Sequence, residues 1–318
     1  MEVSKVILAK PRGFCAGVAR AVEAVEKCLE IFGAPVYVKH EIVHNRTVVS
    51  ALEAQGAVTV EHVSDVPEGA VCVFSAHGSK PGEYDEAQGR NLTLIDATCP
   101  LVTKVHLEAR KFLERGFTVV YIGHRDHIEG EGVRAEAQVF GAEIPIVESV
   151  EDVEALTIDS EHIAYLTQTT LSVRETREII EALRRKFPGI TAPAREDICF
   201  ATTNRQEAVT AIAEKSDLVL VIGSPASSNS NRLRETAEAC GSAAYLIENA
   251  DDICEEWFGD KVKTVGVTAG ASASERVVEE VVEFFRSRGA SVEEDMAVEE
   301  NMTFSLPLEL QKKLQEKG

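Results

Sequence analysis

Three stretches of the chain begin on a cysteine and continue with apolar residues at helical spacing. Cys15 sits in KPRGFCAGVARAVEAVEKCLEIFG, Cys99 in DATCPLVTKVHLEARKFLERG and Cys199 in DICFATTNRQEAVTAIAEKS. Each is predicted to open a helix of about four turns. In the first, Val18, Val22, Val25 and Leu29 recur at intervals of three and four. After each helix comes a β-branched apolar run ending in a polar loop: PVYVKHEIVHN, TVVYIGHRDHIEG and LVLVIGSPASSNS. A second such run with its own polar loop follows: VCVFSAHGSKP, IAYLTQTTLS and TVGVTAGASAS. The order cysteine, helix, strand, loop, strand, loop thus occurs three times.

The spacings keep register. Cys15 to Cys99 is 84 residues and Cys99 to Cys199 is 100. His44 to His127 is 83, and His127 to Ser227 is 100. His77 to Thr169 is 92, and Thr169 to Ser272 is 103. Alternating strands and helices imply an α/β fold with parallel sheet, whose ligands gather at the carboxyl ends of strands. The expected architecture is three pseudo-repeated small α/β domains around one centre, on which the loops converge. The first domain spans 15–98, the second 99–198, and the third 199–290 plus an N-terminal strand in 1–14. Strands LTLIDAT and ITAPAREDI precede the second and third cysteines, so SKVILAKPRGF, ahead of Cys15, is expected to pair with the last third. The tail, 291–318, lies outside the repeat as a clasp or a partly disordered segment.

Composition is that of a globular protein: 318 residues, 44% hydrophobic and 27% charged. No run approaches the ~20 apolar residues of a membrane span, and the N-terminus has neither a signal-peptide core nor a transit-peptide bias. The expectation is a cytoplasmic monomer with no membrane contact. A net charge of -20 argues against nucleic acid as a partner. It also means that an anionic ligand must be met by local donors.

There are seven cysteines and no CxxC pair. In a reducing cytoplasm these are thiols, ligands or catalysts. Three equivalent cysteines meeting near an axis suit an iron–sulfur cluster with one iron left open. A catalytic zinc on three thiolates, or three small buried hydrophobes, are the other readings of Cys15, Cys99 and Cys199. Cys28, Cys72, Cys240 and Cys254 are read as packing.

The polar loops carry His40, His44, Asn45, His77, Ser79, His124, His127, Glu129, Glu131, Thr169, Ser227, Ser228, Asn229, Ser272 and Ser274. Imidazoles, hydroxyls and amides are compact donors with few full charges. SSNSNRLRETAEA reads as a capped helix start, whose free N–H groups favour phosphate. The pattern points to a phosphorylated ligand. Glu129 is the acid expected to donate a proton, with Glu131 the alternative.

The strings GFCAGVARAVE, HEIVHN, FSAHG, DATCPLV, HIEGEG, TQTTLS, ICFATTNRQEAV, SSNSNRL and GVTAGAS closely resemble the 4-hydroxy-3-methylbut-2-enyl diphosphate reductases, from about residue 6 to 290. The resemblance implies reductive dehydroxylation of that diphosphate to isopentenyl and dimethylallyl diphosphate, in the methylerythritol phosphate route of isoprene biosynthesis. It implies a [4Fe-4S] cluster on Cys15, Cys99 and Cys199, whose open iron binds the substrate hydroxyl. It implies a diphosphate pocket of His44, His77, His127, Ser227, Ser228, Asn229 and Ser272. Glu129 matches the family acid and Thr169 the threonine that relays its proton. A ferredoxin or flavodoxin is the implied electron donor. The family often has proline between the histidine and the acid, where this chain has Ile128. A non-redox iron–sulfur dehydratase, an iron–sulfur sensor of a phosphorylated metabolite and a metal-free α/β binding protein remain the alternatives.

Overall fold

The computed structural model describes residues 2–317. In chain order, β1 (Lys5–Lys10) leads to α1 (Ala16–Phe32), β2 (Val36–Lys39), α2 (Arg46–Glu53), β3 (Ala57–Val60), β4 (Val71–Phe74), α3 (Pro81–Gly89) and β5 (Thr93–Asp96). Next come α4 (Pro100–Glu114), β6 (Thr118–Ile122), α5 (Ile128–Val139), β7 (Ile146–Val147), α6 (Val150–Ala155), β8 (Ile163–Thr167) and α7 (Val173–Lys186). The last third holds α8 (Phe200–Ala213), β9 (Leu218–Ile222), α9 (Ser228–Ala239), β10 (Ala243–Ile247), β11 (Thr264–Ala269), α10 (Glu275–Arg286), β12 (Ser291–Met296) and α11 (Leu308–Lys317). The helices opened at the three cysteines are 17, 15 and 14 residues long.

The fold is mixed α/β with three small parallel sheets, ordered β3-β2-β4-β5, β7-β6-β8 and β10-β9-β11-β1-β12. One pattern underlies all three. The first strand of each third lies between the second strand and a short strand absent from the sequence reading: β3, β7 or β10. On the far side of the second strand comes the segment leading into the next cysteine. Here β5 pairs with β4, and β1 pairs with β11 of the last third. The segment ITAPAREDI is not a strand; it makes one bridge, Thr191 to Ala164. Pro188 and Pro193 flank that bridge and cannot donate to a ladder. Because every pairing is parallel, crossover helices cover both faces. Strands covered in this way, such as β8 (IAYLT) and β9 (LVLVI), are therefore buried at every residue and read as near-continuous apolar runs.

Helix burial follows the apolar spacing, with one shift. In α10, Val277, Val278, Val281, Val282 and Phe285 are buried, while Glu279, Glu280 and Glu283 are exposed. In α1 the deepest stripe is Ala21, Ala24, Val25 and Cys28; Val18, Val22 and Leu29 flank it, half-buried. Small residues there let the helix approach its neighbours closely.

Contacts divide the chain into two compact units. One comprises residues up to Ala19, His44–Ser50 and Phe200–Thr303, and contains the five-stranded sheet. The other comprises Arg20–Val43, Ala51–Cys199 and residues from Phe304 onward, and contains the other two sheets. The described part of the tail holds β12 and α11. In the first unit β12 forms the edge of the sheet beside β1. Beyond it Glu300 meets Arg205, a guanidinium 1% exposed, at 3.2 Å, and accepts from Asn204 at 2.9 Å. Arg205 also donates to the Gly13 carbonyl at 2.8 Å, so the tail carboxylate neutralises the cation that holds the Cys15 loop. Among the described residues no helix is long and apolar enough to cross a membrane.

Removing one partner of a buried ion pair leaves the other charge uncompensated, at a cost of about 3–5 kcal/mol. Glu300→Ala is therefore expected to lower the melting temperature clearly. Glu299→Ala, at an exposed neighbour, should stay within about 0.5 kcal/mol of the parent in the same thermal scan.

Candidate active site

The three cysteine loops are suspended in the same way. Each cysteine amide donates to a carbonyl two residues past a second strand: Cys15 to Ala271 at 3.2 Å, Cys99 to Ala76 at 3.0 Å and Cys199 to Thr169 at 3.0 Å. None of the three thiols is in a disulfide; all are half-buried, and each stands at a helix N-terminus. The Cys15 sulfur accepts from the Val18 amide at 3.5 Å. Among the described residues no three His, Cys, Asp or Glu side chains are grouped to hold a single ion. In a cluster each cysteine would hold a different iron, so its ligands need not form such a group. The other cysteines differ in kind. Cys28 and Cys72 are fully buried, and burial pushes each thiol up to about 12. Cys240 is exposed at the end of α9, so it is not a packing residue.

These amide bonds also correct the register of the repeat. Ala76, Thr169 and Ala271 are equivalent positions, so Thr169 precedes by one the place that His77 and Ser272 share. A similar slip occurs after the first strands. His127 and Ser227 are the N-caps of α5 and α9, whereas the residue before α2 is Asn45, whose side chain accepts from Val48 at 3.2 Å. His44 lies one residue earlier.

In the unit holding Cys99 and Cys199, the acid and the threonine come together. Glu129 is buried in the first turn of α5. The Thr169 hydroxyl lies 2.9 and 3.0 Å from its two carboxylate oxygens, and the Thr169 amide donates to Oε2 at 3.1 Å. Thr169 thereby ties the acid to the backbone of Cys199. The His127 Nδ1 accepts from the Glu129 amide at 3.2 Å, which leaves Nε2 to carry the proton of the neutral ring. The His77 Nδ1 lies 3.4 Å from the Ser75 hydroxyl. Glu131 is different: half-exposed and paired with Lys80 at 2.8 Å, it is held below the usual carboxylate range by that lysine. It stays ionised at neutral pH and is the poorer proton donor of the two.

In the other unit, α9 presents its N-terminus at the carboxyl edge of the sheet. Ser227 caps it, accepting from Ser230 at 3.3 Å, and Ser228 begins it. Asn229 is 4% exposed, yet neither its Oδ1 nor its Nδ2 has a hydrogen-bond partner. An unsatisfied buried amide costs roughly 1–3 kcal/mol, so it fits a site that a polar ligand completes. Gly270 lies against it; a Cβ there would sit 3.5 Å from the Asn229 Nδ2 and 2.1 Å from the Ser230 hydroxyl. Ser272 is buried and donates to the His44 carbonyl at 3.2 Å, joining two of the expected ligand-binding loops.

The profile of a family described as LytB protein matches residues 6–286. The chain belongs to the LytB family. It is 51% identical over 313 residues to a Chromohalobacter salexigens protein named 4-hydroxy-3-methylbut-2-enyl diphosphate reductase, covering 98% of each chain. It is 51% identical over 318 residues to a Psychrobacter protein of the same name, covering 99% of each. Its fold is similar to that of the E-1-hydroxy-2-methyl-but-2-enyl-4-diphosphate reductase of Plasmodium falciparum, with a TM-score of 0.95, 36% identity and 99% coverage of both chains.

Two further features of this LytB chain bear on the acid loop. Ile128 is the first residue of α5, a position whose N–H has no intrahelical partner, so either proline or isoleucine is accommodated there. His106, absent from the sequence reading, is buried beneath the loop. Its Nδ1 lies 2.9 Å from the Glu136 carboxylate, which Arg110 also contacts. Burial would raise the Glu136 carboxyl, but the hydrogen bonds from His106 and Arg110 outweigh it and hold the group below its usual range. The imidazole edge fills the space beside two glycines: a Cβ on Gly132 would lie 2.8 Å from it, and one on Gly78 3.2 Å. Gly78 follows His77, and Gly132 lies three residues past Glu129, so His106 spaces both loops. The only signal in the sequence was a histidine on the apolar face of a predicted helix, which more often marks packing.

Gly132→Ala is expected to cost about 1–3 kcal/mol through overpacking against the ring. Combining it with His106→Ala should be less destabilising than the two single effects added, by at least about 0.5 kcal/mol in denaturation curves. Strict additivity would place the two residues out of contact.

Proposed function

We propose that the chain is a 4-hydroxy-3-methylbut-2-enyl diphosphate reductase of isoprenoid biosynthesis. The observation that carries this reading is its identity of about half to proteins of that name over nearly the full length of both chains. The buried Glu129–Thr169 pair and the anion-favouring start of α9 support it. The reaction takes two electrons and two protons: the allylic C–O bond breaks, one C–H bond forms, and water leaves.

Cys15, Cys99 and Cys199 would hold a [4Fe-4S] cluster, one from the end of each sheet, within three domains bounded at 15, 99 and 199. When bound, such a cluster supplies the electrons and an open iron to take the hydroxyl. The protein supplies the rest. Backbone N–H groups of α9, together with Ser227, Ser228, Asn229 and Ser272, would take diphosphate oxygens without adding full charges. His44, His77 and His127 add imidazole donors; the Nδ1 bond of His127 presents Nε2–H. Glu129 and Thr169 would handle the proton. An ionised carboxylate can only accept, so Thr169 then donates to it. A protonated Glu129 reverses that bond, and the threonine hydroxyl can pass its own proton to the leaving oxygen. Burial keeps water from short-circuiting the transfer.

Anaerobically reconstituted protein is expected to consume 4-hydroxy-3-methylbut-2-enyl diphosphate with reduced viologen and to release five-carbon diphosphates. Turnover without reductant would instead indicate a dehydratase. Glu129→Gln should keep the cluster and ligand binding but lower turnover by about 10²–10⁴-fold, the usual worth of a general acid; parent-like turnover would remove Glu129 from the role. Cys99→Ser should lose iron on reconstitution, read by iron content and the visible spectrum, and full iron retention would break the ligand set.

A further inference from the structure

A chain of net charge -20 repels an acidic electron carrier unless one face reverses the local sign. The unit holding Cys99 has such a face. A cleft of about 430 Å³ lies along the start of α4, lined by Arg20, Thr98, Pro100, Lys104, Leu107 and Lys111. Thr98 and Pro100 are the chain neighbours of Cys99. Arg20 donates to the Thr98 carbonyl at 2.9 Å, and to those of Ser305 and Asp96 at 2.8 and 3.4 Å. Its hydrogen bonds thus go to carbonyls, while the charges of Asp96 and Glu309 act on it from nearby.

Two acids also line the cleft, so three cations stand against two carboxylates, and only Glu108 is paired with a cation. Asp96 accepts from the Thr98 amide and the Tyr84 hydroxyl, each at 2.9 Å. Glu108, its side chain 14% exposed, faces Lys104 at 3.6 Å. Lys104 also donates to the carbonyls of Arg195 and Glu196 at 2.6 and 3.0 Å and to Asp197 at 2.8 Å, two residues before Cys199. Lys104 therefore ties one wall of the cleft to the segment that leads to a second cysteine. Lys111 is exposed and has no ion pair among the described residues. Leu107, 49% exposed, lies one helical turn before it. An apolar contact beside unneutralised cations is the anatomy of a transient, electrostatically steered protein interface.

We propose that this cleft on α4 is the docking surface for a small acidic protein that carries one electron at a time, delivering it over the Thr98–Cys99–Pro100 backbone. The proposal rests on the reductase reading and on Cys99 as a cluster ligand. It assigns Arg20 and Lys111 to steering and Leu107 to the contact. None of them belongs to the substrate pocket, so donor recognition and chemistry are separable.

The test compares two donors on the reconstituted holoenzyme: a reduced acidic ferredoxin and reduced methyl viologen, a small cation with no need of the face. In Lys111→Glu, and separately in Leu107→Gln, kcat/KM for ferredoxin should fall at least about fivefold while the viologen rate holds. The fall of the ferredoxin rate with added salt should also flatten in Lys111→Glu, because fewer charges steer the encounter. Parent-like ferredoxin rates in both variants would overturn the proposal. So would an equal loss with both donors, which would mark a structural effect. If the face instead joins two copies of this chain, the variants would abolish a concentration-dependent dimer and leave ferredoxin rates unchanged, again overturning it. Parent protein that is inactive with viologen, cluster present, would sink the reductase reading itself, and that result is distinct from all the others.

Discussion

Each cysteine loop depends on one hydrogen bond, from its own amide to the carbonyl two residues beyond a buried parallel strand. Strand pairing makes that bond possible. The segment feeding each cysteine lies beside the second strand of the preceding sheet, so the loop emerges at the carboxyl edge where that strand ends. The edge is fixed because parallel strands require crossovers, and the crossovers cover both faces and leave only the strand ends open. The polar loops, the helix N-termini and the cysteines share that edge of their own sheets for this reason.

Within the unit holding Cys99 and Cys199, this arrangement concentrates chemistry on Thr169. Its carbonyl holds the Cys199 amide, and its hydroxyl and amide hold the Glu129 carboxylate. A single residue thus sets the acid against the cysteine backbone. The glycines of HIEGEG have a related role. Gly130 faces the Tyr121 ring and Gly132 the His106 ring, so α5 can start close against the sheet. In the other unit, Gly223 and Gly270 do the same for Ser230, setting α9 and its unsatisfied Asn229 close above the strands. Close backbone approach is what allows few charges to suffice: hydrogen bonds inside a dry pocket are stronger than the same bonds in water.

The acidity of the chain has a consequence at the other end of the reaction. Electrons must reach a protein whose average surface repels acidic carriers. The cations beside Cys99 relieve that repulsion locally, because three of them line the cleft against two carboxylates. Screening within about 10 Å at ordinary ionic strength keeps the rest of the surface from cancelling them.

Much of this was legible before any coordinates. β-branched apolar runs and helices of period 3.6 announced three α/β units, and their order alone predicted that the strand before Cys15 joins the last third, where β1 pairs with β11. Residue chemistry marked the loops for an anion and Cys15, Cys99 and Cys199 as a set. Other strands were not read: β3 and β7 are too short and the edge strand β12 too polar to show a pattern, and β10 (AAYLI) went unread although it is apolar throughout. The register of the repeat slipped by one at Thr169 and at His44, because spacing counts residues whereas equivalence is set by which carbonyl accepts which amide. Glu129 was the expected acid, but the residues alone left Glu131 open as the alternative. Only packing buried one against Thr169 and left the other half-exposed on Lys80, because two residues apart on a helix means opposite environments.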